Sequence, residues 1–157
     1  MVDLKEMSPI DLLKLHTQII DELKYRKVAK TRNQPIAEYS KWLVRNKLKL
    51  NDVNNPNEKY DGYDDKGKKY LVRSRQIIDN RQVQFSVIRN IEDRNFDYLV
   101  AISFDIYFGI TEAYIIPVDV LLEQLDYNEY QNGYLFKLNQ FNLNDSRIKN
   151  IAGILKS

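Results

Sequence analysis

The chain has 157 residues, with 24 Lys and Arg against 22 Asp and Glu for a formal charge of +2 at pH 7. That length buries a substantial core and makes a single domain over 1–157 the expectation, and 43% hydrophobic against 29% charged residues fits a folded chain better than a disordered tail. With no Cys and one His, disulfides, thiolate sites and multi-histidine metal centres are excluded.

The first residues lack the apolar run of a signal peptide, and no segment approaches the length of a membrane span. A cytoplasmic protein with no membrane partner is therefore expected. Ser8-Pro9-Ile10-Asp11 begins a helix: Ser8 caps it, Pro9 takes the first helical position and Asp11 sits at the positive end of the dipole. Leu12, Leu15, Ile19 and Leu23, reinforced by Ile20, recur at helical spacing and predict one buried stripe. His16 lies within it and reads as a structural or surface residue, there being no second His to complete a familiar cluster. Residues 31–35 break the pattern, and a second helix is expected over 35–46, with Ile36, Tyr39 and Leu43 inward, Trp42 beside them and Glu38 along the edge of that stripe.

Residues 51–58 are loop material, because Asn, Asp and Pro satisfy turns better than ladders. A hairpin follows over 60–64 and 68–75, reversing at Asp65-Lys66-Gly67, where Gly67 admits a positive φ. Alternation on its second strand sends Tyr70, Val72 and Ser74 one way and Leu71, Arg73 and Arg75 the other. A short helix is expected over 82–90. Residues 98–104 are apolar enough for a central strand, with 109–116 as its partner. Pro117-Val118-Asp119-Val120 opens another short helix, and 133–138 reads as an edge strand. Asn144-Asp145 is expected to cap a final helix ending near Leu155, with Ile148, Ile151 and Leu155 inward. The mixture of elements is α+β.

Basic residues gather over 24–94, whereas 112–129 is acidic by comparison. One positive face is one reading, and ordinary solvated faces are the plainer alternative. Within the basic region Glu38, Asp61, Arg73 and Arg75 form the candidate group. A helix carboxylate near a strand carboxylate can share a hard divalent cation such as Mg²⁺, and guanidinium groups beside them attract phosphate. The alternative is a surface cluster of opposite charges. Arg75 and Arg89 are further candidates for phosphate contact, weighed against structural pairing with Asp or Glu through the same planar donors.

Several segments, taken in order, carry a family resemblance: 31–39 (Thr-Arg-Asn-Gln-Pro-Ile-Ala-Glu-Tyr), 60–64 (Tyr-Asp-Gly-Tyr-Asp), 67–75 (Gly-Lys-Lys-Tyr-Leu-Val-Arg-Ser-Arg), 88–90 (Ile-Arg-Asn) and 96–99 (Phe-Asp-Tyr-Leu). Together they resemble a family of small bacterial proteins related to the PD-(D/E)XK restriction endonuclease-like superfamily. The resemblance implies a central mixed sheet flanked by helices, with a metal site at one end of the hairpin. By that resemblance Asp61 is the first metal ligand and Glu38 the extra helix carboxylate. Leu71 stands where the second strand ligand is expected, and Arg73 where a Lys is expected. Leu71 offers no lone pair, and Arg73, with a pKa above about 12, is a poor base.

The resemblance therefore implies a DNA-binding protein of nuclease fold, acting on double-stranded DNA, with weak or lost phosphodiesterase activity. If it cleaves, it is a Mg²⁺-dependent endonuclease or a component of a restriction or phage-defence system, with Glu38, Asp61 and Arg73 catalytic and Glu38 and Asp61 holding the ion. Arg73, Arg75 and Arg89 are the expected DNA contacts, and a homodimer is left open. The competing readings are a non-catalytic DNA-binding descendant and a protein-interaction module built on Tyr-rich surface patches.

Overall fold

The protein is described by a computed structural model covering residues 2–32, 35–77 and 86–157. Helix α1 (Pro9–Tyr25) starts as its sequence dictates, with the Ser8 hydroxyl accepting the Asp11 amide at 3.3 Å and Pro9 in the first turn. Its stripe is buried far less than the spacing predicts. Ile20 is its buried residue, while Leu12 and Ile19 stay exposed. Helix α2 (Pro35–Leu48) runs one half-turn beyond its expected end and buries Ser40, Leu43 and Val44.

Strands β1 (Gly62–Tyr63) and β2 (Lys69–Gln76) form the hairpin, paired antiparallel with Gly62 opposite Tyr70. Asp64 builds the reversal: its Oδ1 accepts the amides of Lys66 and Lys68, both at 2.9 Å, and Gly67 follows with φ of 79°. Strand β3 (Ser86–Ile88) lies where a helix is expected over 82–90, so the reading is corrected for the part that is described; 82–85 fall outside the described residues. Burial decides the matter, since Ser86 and Ile88 point inward with Val87 between them.

Strand β4 (Tyr98–Phe104) pairs parallel with β2 and antiparallel with β5 (Ile110–Pro117), as expected of a central strand and its partner. Helix α3 (Val118–Gln124) follows directly. Strand β6 (Tyr127–Asn128) and strand β7 (Gly133–Phe136) join β3 in a second sheet of order β3-β7-β6. The 133–138 segment is thus the middle strand of a small sheet and not an edge. The final helix is also corrected: strand β8 (Lys149–Asn150) pairs with β5, and only Ala152–Lys156 (α4) is helical. Asn and Asp side chains compete with helix here. Asp145 Oδ1 accepts the Arg147 amide at 2.9 Å and Asn150 Oδ1 accepts the Ala152 amide at 3.0 Å.

Among the described residues the larger sheet runs β1-β2-β4-β5-β8, and it is mixed because β2 and β4 are parallel. On one face Val72, Val100, Ile102, Phe104 and Ala113 pack with Leu43 and Val44 of α2 and Leu155 of α4. On the other, Leu71, Leu99, Ala101 and Ile116 pack with α3 and with Ile88 and Phe136 of the smaller sheet. Strand β4 is covered on both sides, which is why its sequence is apolar throughout but for Ser103. The architecture is a mixed β-sheet flanked by α-helices. No helix among the described residues is long and apolar enough to cross a membrane.

The loop before β8 has a pH signature. Arg147 reaches both Asp145 oxygens, at 3.0 and 2.7 Å, and hydrogen bonds from its side chain and backbone hold the Asp145 carboxyl down at about 2. A carboxylate held low in the folded state contributes stability above its ordinary value of 3.8 and loses that contribution as pH falls through about 2. The drop in melting temperature between about pH 5 and about pH 2 should therefore be larger in the wild type than in Asp145→Asn, and equal drops would remove this role.

Candidate nucleic-acid interface

The hairpin register sets the site. Gly62 faces Tyr70, and the Asp61 amide donates to the Tyr70 carbonyl at 2.7 Å, so the ladder continues one residue back and brings Asp61 beside Leu71. The Asp61 side chain folds over the second strand, where its Oδ2 accepts the Val72 amide at 2.8 Å. Its side chain is 14% exposed, which leaves an edge of the carboxylate in an open cleft.

Among the described residues two cations face that carboxylate. Lys41 Nζ stands 3.4 Å from Asp61 Oδ1, and Arg73 Nη1 stands 4.0 Å from Oδ2. Arg73 Nη1 also donates to the Val72 carbonyl at 3.0 Å, which fixes the guanidinium against its own strand. Burial draws the Arg73 pKa down from its ordinary value, and the Asp61 charge opposes the shift. An arginine guanidinium remains a cation at neutral pH.

Helix α2 supplies the opposite wall. Glu38, Lys41 and Arg45 follow each other at spacings of three and four, so they project from one face of the helix towards the hairpin. Glu38 accepts the Lys30 amide at 3.2 Å and the Thr31 hydroxyl at 3.4 Å, and so ties the preceding loop to the first turn of the helix. Arg45 donates to the Asp61 carbonyl at 3.4 Å and lies 3.6 Å from Asp52 Oδ1. Lys30 Nζ contacts the same Asp52 oxygen at 2.9 Å. Burial pushes the Asp52 pKa up, but Lys30 and Arg45 outweigh it and hold the carboxyl below its ordinary value.

Two clefts meet at the Lys41–Asp61 pair. The smaller, of about 190 Å³, holds Glu38, Asp52 and Asp61 with Lys30, Lys41 and Arg45. The larger, of about 410 Å³, is lined by Asp61, Leu71, Arg73 and Arg89 together with Lys41, Lys59 and Glu58. Among the described residues four cations there stand against two carboxylates, giving that lining a positive balance.

The expected residues thus separate in a definite way. Glu38 and Asp61 share the smaller cleft, and Asp61, Leu71, Arg73 and Arg89 share the larger one. Arg89 is anchored by donating to the Gln131 carbonyl at 3.2 Å. Arg75 is exposed further along β2 and does not line either cleft. Lys41, which sequence reasoning passed over, is the closest cation to Asp61 among the described residues. Its signal was the three-residue spacing from Glu38 on one helix face.

The Mg²⁺ implied by the family resemblance was tested against these donors. Asp61 is shared by Lys41 and the Val72 amide, Glu38 is engaged by the Lys30 amide and Thr31, and Leu71 contributes only carbon. Among the described residues no three His, Cys, Asp or Glu side chains converge as a metal site. Mg²⁺ needs a near-octahedral shell of hard oxygens, and this donor set does not fit it. No protein-family model matches the chain, and no curated protein matches it.

Proposed function

We propose that this protein has a restriction endonuclease-like fold and binds double-stranded DNA at the cleft between the β1–β2 hairpin and α2, without metal-dependent cleavage. The observation that carries the reading is the flanking of Asp61 by Lys41 and Arg73, with Leu71 on the same cleft wall. Where a hydrolytic site would present a metal ion, this cleft presents an ammonium and a guanidinium. Both neutralise phosphate. As cations neither has a lone pair with which to take a proton from water.

Arg73 is the principal phosphate contact in this reading, because its planar fork matches two phosphate oxygens and its contact with the Val72 carbonyl limits the freedom lost on binding. Lys41, Lys59 and Arg89 add charge around it. Such contacts position the duplex without reading bases, so sequence preference is expected to be small. Fluorescence anisotropy with a labelled duplex gives the test. Binding should persist in EDTA and should fall with salt, each phosphate contact adding roughly 0.9 to the slope of log affinity against log salt. Absence of binding at low salt would overturn the DNA reading, and binding that requires a divalent ion would overturn the metal-free cleft.

A further inference from the structure

The larger cleft has two unlike ends. Leu71 and Arg73 line it from the same side of β2, one strand period or roughly 6.6 Å apart. Around Leu71 the lining is apolar: Leu71, Ile88 and Phe96 are buried, and Tyr60 packs against the core cluster that they share. Parallel pairing sets Leu99 beside Leu71 and Ala101 beside Arg73, so Phe96, which precedes β4, lies on the side of Leu71 away from Arg73. Lys69, two residues before Leu71, holds its Nζ 5.0 Å from the Tyr60 ring centroid and so keeps that ring at the apolar end. The other end carries Arg73, with Lys41 across Asp61 from it.

Both walls of the apolar end are held in place. On one, the Tyr60 ring meets Tyr63 of β1 edge-on at 6.5 Å between centroids. On the other, a turn at 91–93 is anchored in the core by the fully buried Ile91 and closed by two hydrogen bonds, from the Asp93 amide to the Asn90 carbonyl at 3.1 Å and from the Arg94 amide to the Ile91 carbonyl at 2.9 Å. Arg94 also donates to Asp119 at 2.7 Å, which ties the turn to α3. Asn90, whose φ of 57° is one that Asn tolerates, and Asn95 flank this turn and line the cleft. Their side-chain amides make no hydrogen bond among the described residues. An amide carries donors and an acceptor together, so it can meet the edge of any base.

A volume of about 410 Å³ lies within the roughly 300–1,000 Å³ of small-ligand sites. A guanidinium one strand period from an aromatic and aliphatic floor matches the chemistry of one nucleotide, with an anionic phosphate at one end and a flat base at the other. In a continuous duplex each base face is covered by its neighbours, so a paired duplex can use the cationic end and leaves the apolar end unfilled. A nucleotide outside the stack fills both.

We infer that the cleft takes a single nucleotide displaced from the duplex, its phosphate on Arg73 and its base at Tyr60, and that the protein therefore prefers mispaired DNA. The inference rests on the reading of this cleft as a DNA site. Displacement costs least where the base is already mispaired, and stacking on an aromatic ring is tolerant of base identity, so the preference is for a defect and not for a sequence. Anisotropy on three duplexes of equal length tests it: one fully paired, one with a single central mismatch, and one abasic on both strands at that step. The mismatched duplex should bind at least about tenfold tighter than the paired one. The doubly abasic duplex bends as readily but brings no base, and should bind within about threefold of the paired one. Tyr60→Ala should reduce the mismatch advantage to about twofold or less, whereas Tyr60→Phe keeps the ring and should retain it. Equal affinity for paired and mismatched duplexes, or a doubly abasic duplex bound as tightly as the mismatched one, overturns the inference, needs no variant and leaves the duplex reading standing. A mismatch advantage that persists in folded Tyr60→Ala also overturns it. Absence of binding to all three duplexes overturns the duplex reading and the inference with it.

Discussion

Arg73→Ala weakens duplex binding by at least about tenfold and lowers the salt slope by roughly 0.9, as expected for loss of one charge-assisted phosphate contact of about 1.5–3 kcal/mol. Arg73→Lys should retain part of the affinity, because charge remains while the two-pronged geometry is lost. Asp61→Asn supplies a change of opposite sign. It removes the negative charge that Lys41 and Arg73 face, while its carbonyl can still accept the Val72 amide, so binding should tighten about threefold or more. The same anisotropy series measures all three variants. If Arg73→Ala and Asp61→Asn bind as the wild type does, the duplex lies elsewhere on the molecule.

The opposing signs matter because a structural role alone would not produce them. A variant that loosens the hairpin loses affinity whichever residue is changed. Increased affinity after removing a carboxylate requires that the ligand be anionic and close to it.

The elements with strong local chemistry were legible from the amino acids. Ser8 and Pro9 mark the start of α1, Gly67 marks the reversal between β1 and β2, and the doubly covered β4 is apolar but for Ser103. What escaped was pairing between segments too short to display a period. Three residues, Ser86–Ile88, cannot distinguish a helical from an extended pattern, and misreading them turned β7 from a middle strand into an edge. The 144–148 stretch failed differently, since Asp145 can cap a helix or close a turn and its pairing with Arg147 favours the turn. At the site, Asp61, Leu71 and Arg73 were legible as neighbours because strand alternation is local. The contact between Lys41 and Asp61 depends on how α2 lies against β2, a relation between segments that neither contains alone.

That contact changes what would be needed to turn the cleft into a metal site. Changing Leu71 and Arg73 alone leaves an ammonium 3.4 Å from Asp61 Oδ1, the oxygen of that carboxylate not engaged by the Val72 amide. Leu71 is also buried at 6% exposure, so Gln is a better replacement than Glu: it offers a carbonyl ligand at similar volume without placing a full charge in the core. The double variant Leu71→Gln and Arg73→Lys should bind Mn²⁺ little better than the wild type. Adding Lys41→Glu replaces the competing cation by a second carboxylate beside Asp61 and should tighten Mn²⁺ binding at least about tenfold by calorimetry, because ligands of one ion act as a unit. Nicking of supercoiled plasmid in Mn²⁺ should rise in the triple variant alone, and adding Asp61→Ala should abolish both gains. A triple variant that retains the wild-type circular dichroism spectrum but gains no Mn²⁺ affinity would show that Lys41 does not occupy the position of an ion. Wild-type nicking that survives Asp61→Ala would move any hydrolytic centre away from this hairpin, since Asp61 is the carboxylate against which Lys41 and Arg73 are placed.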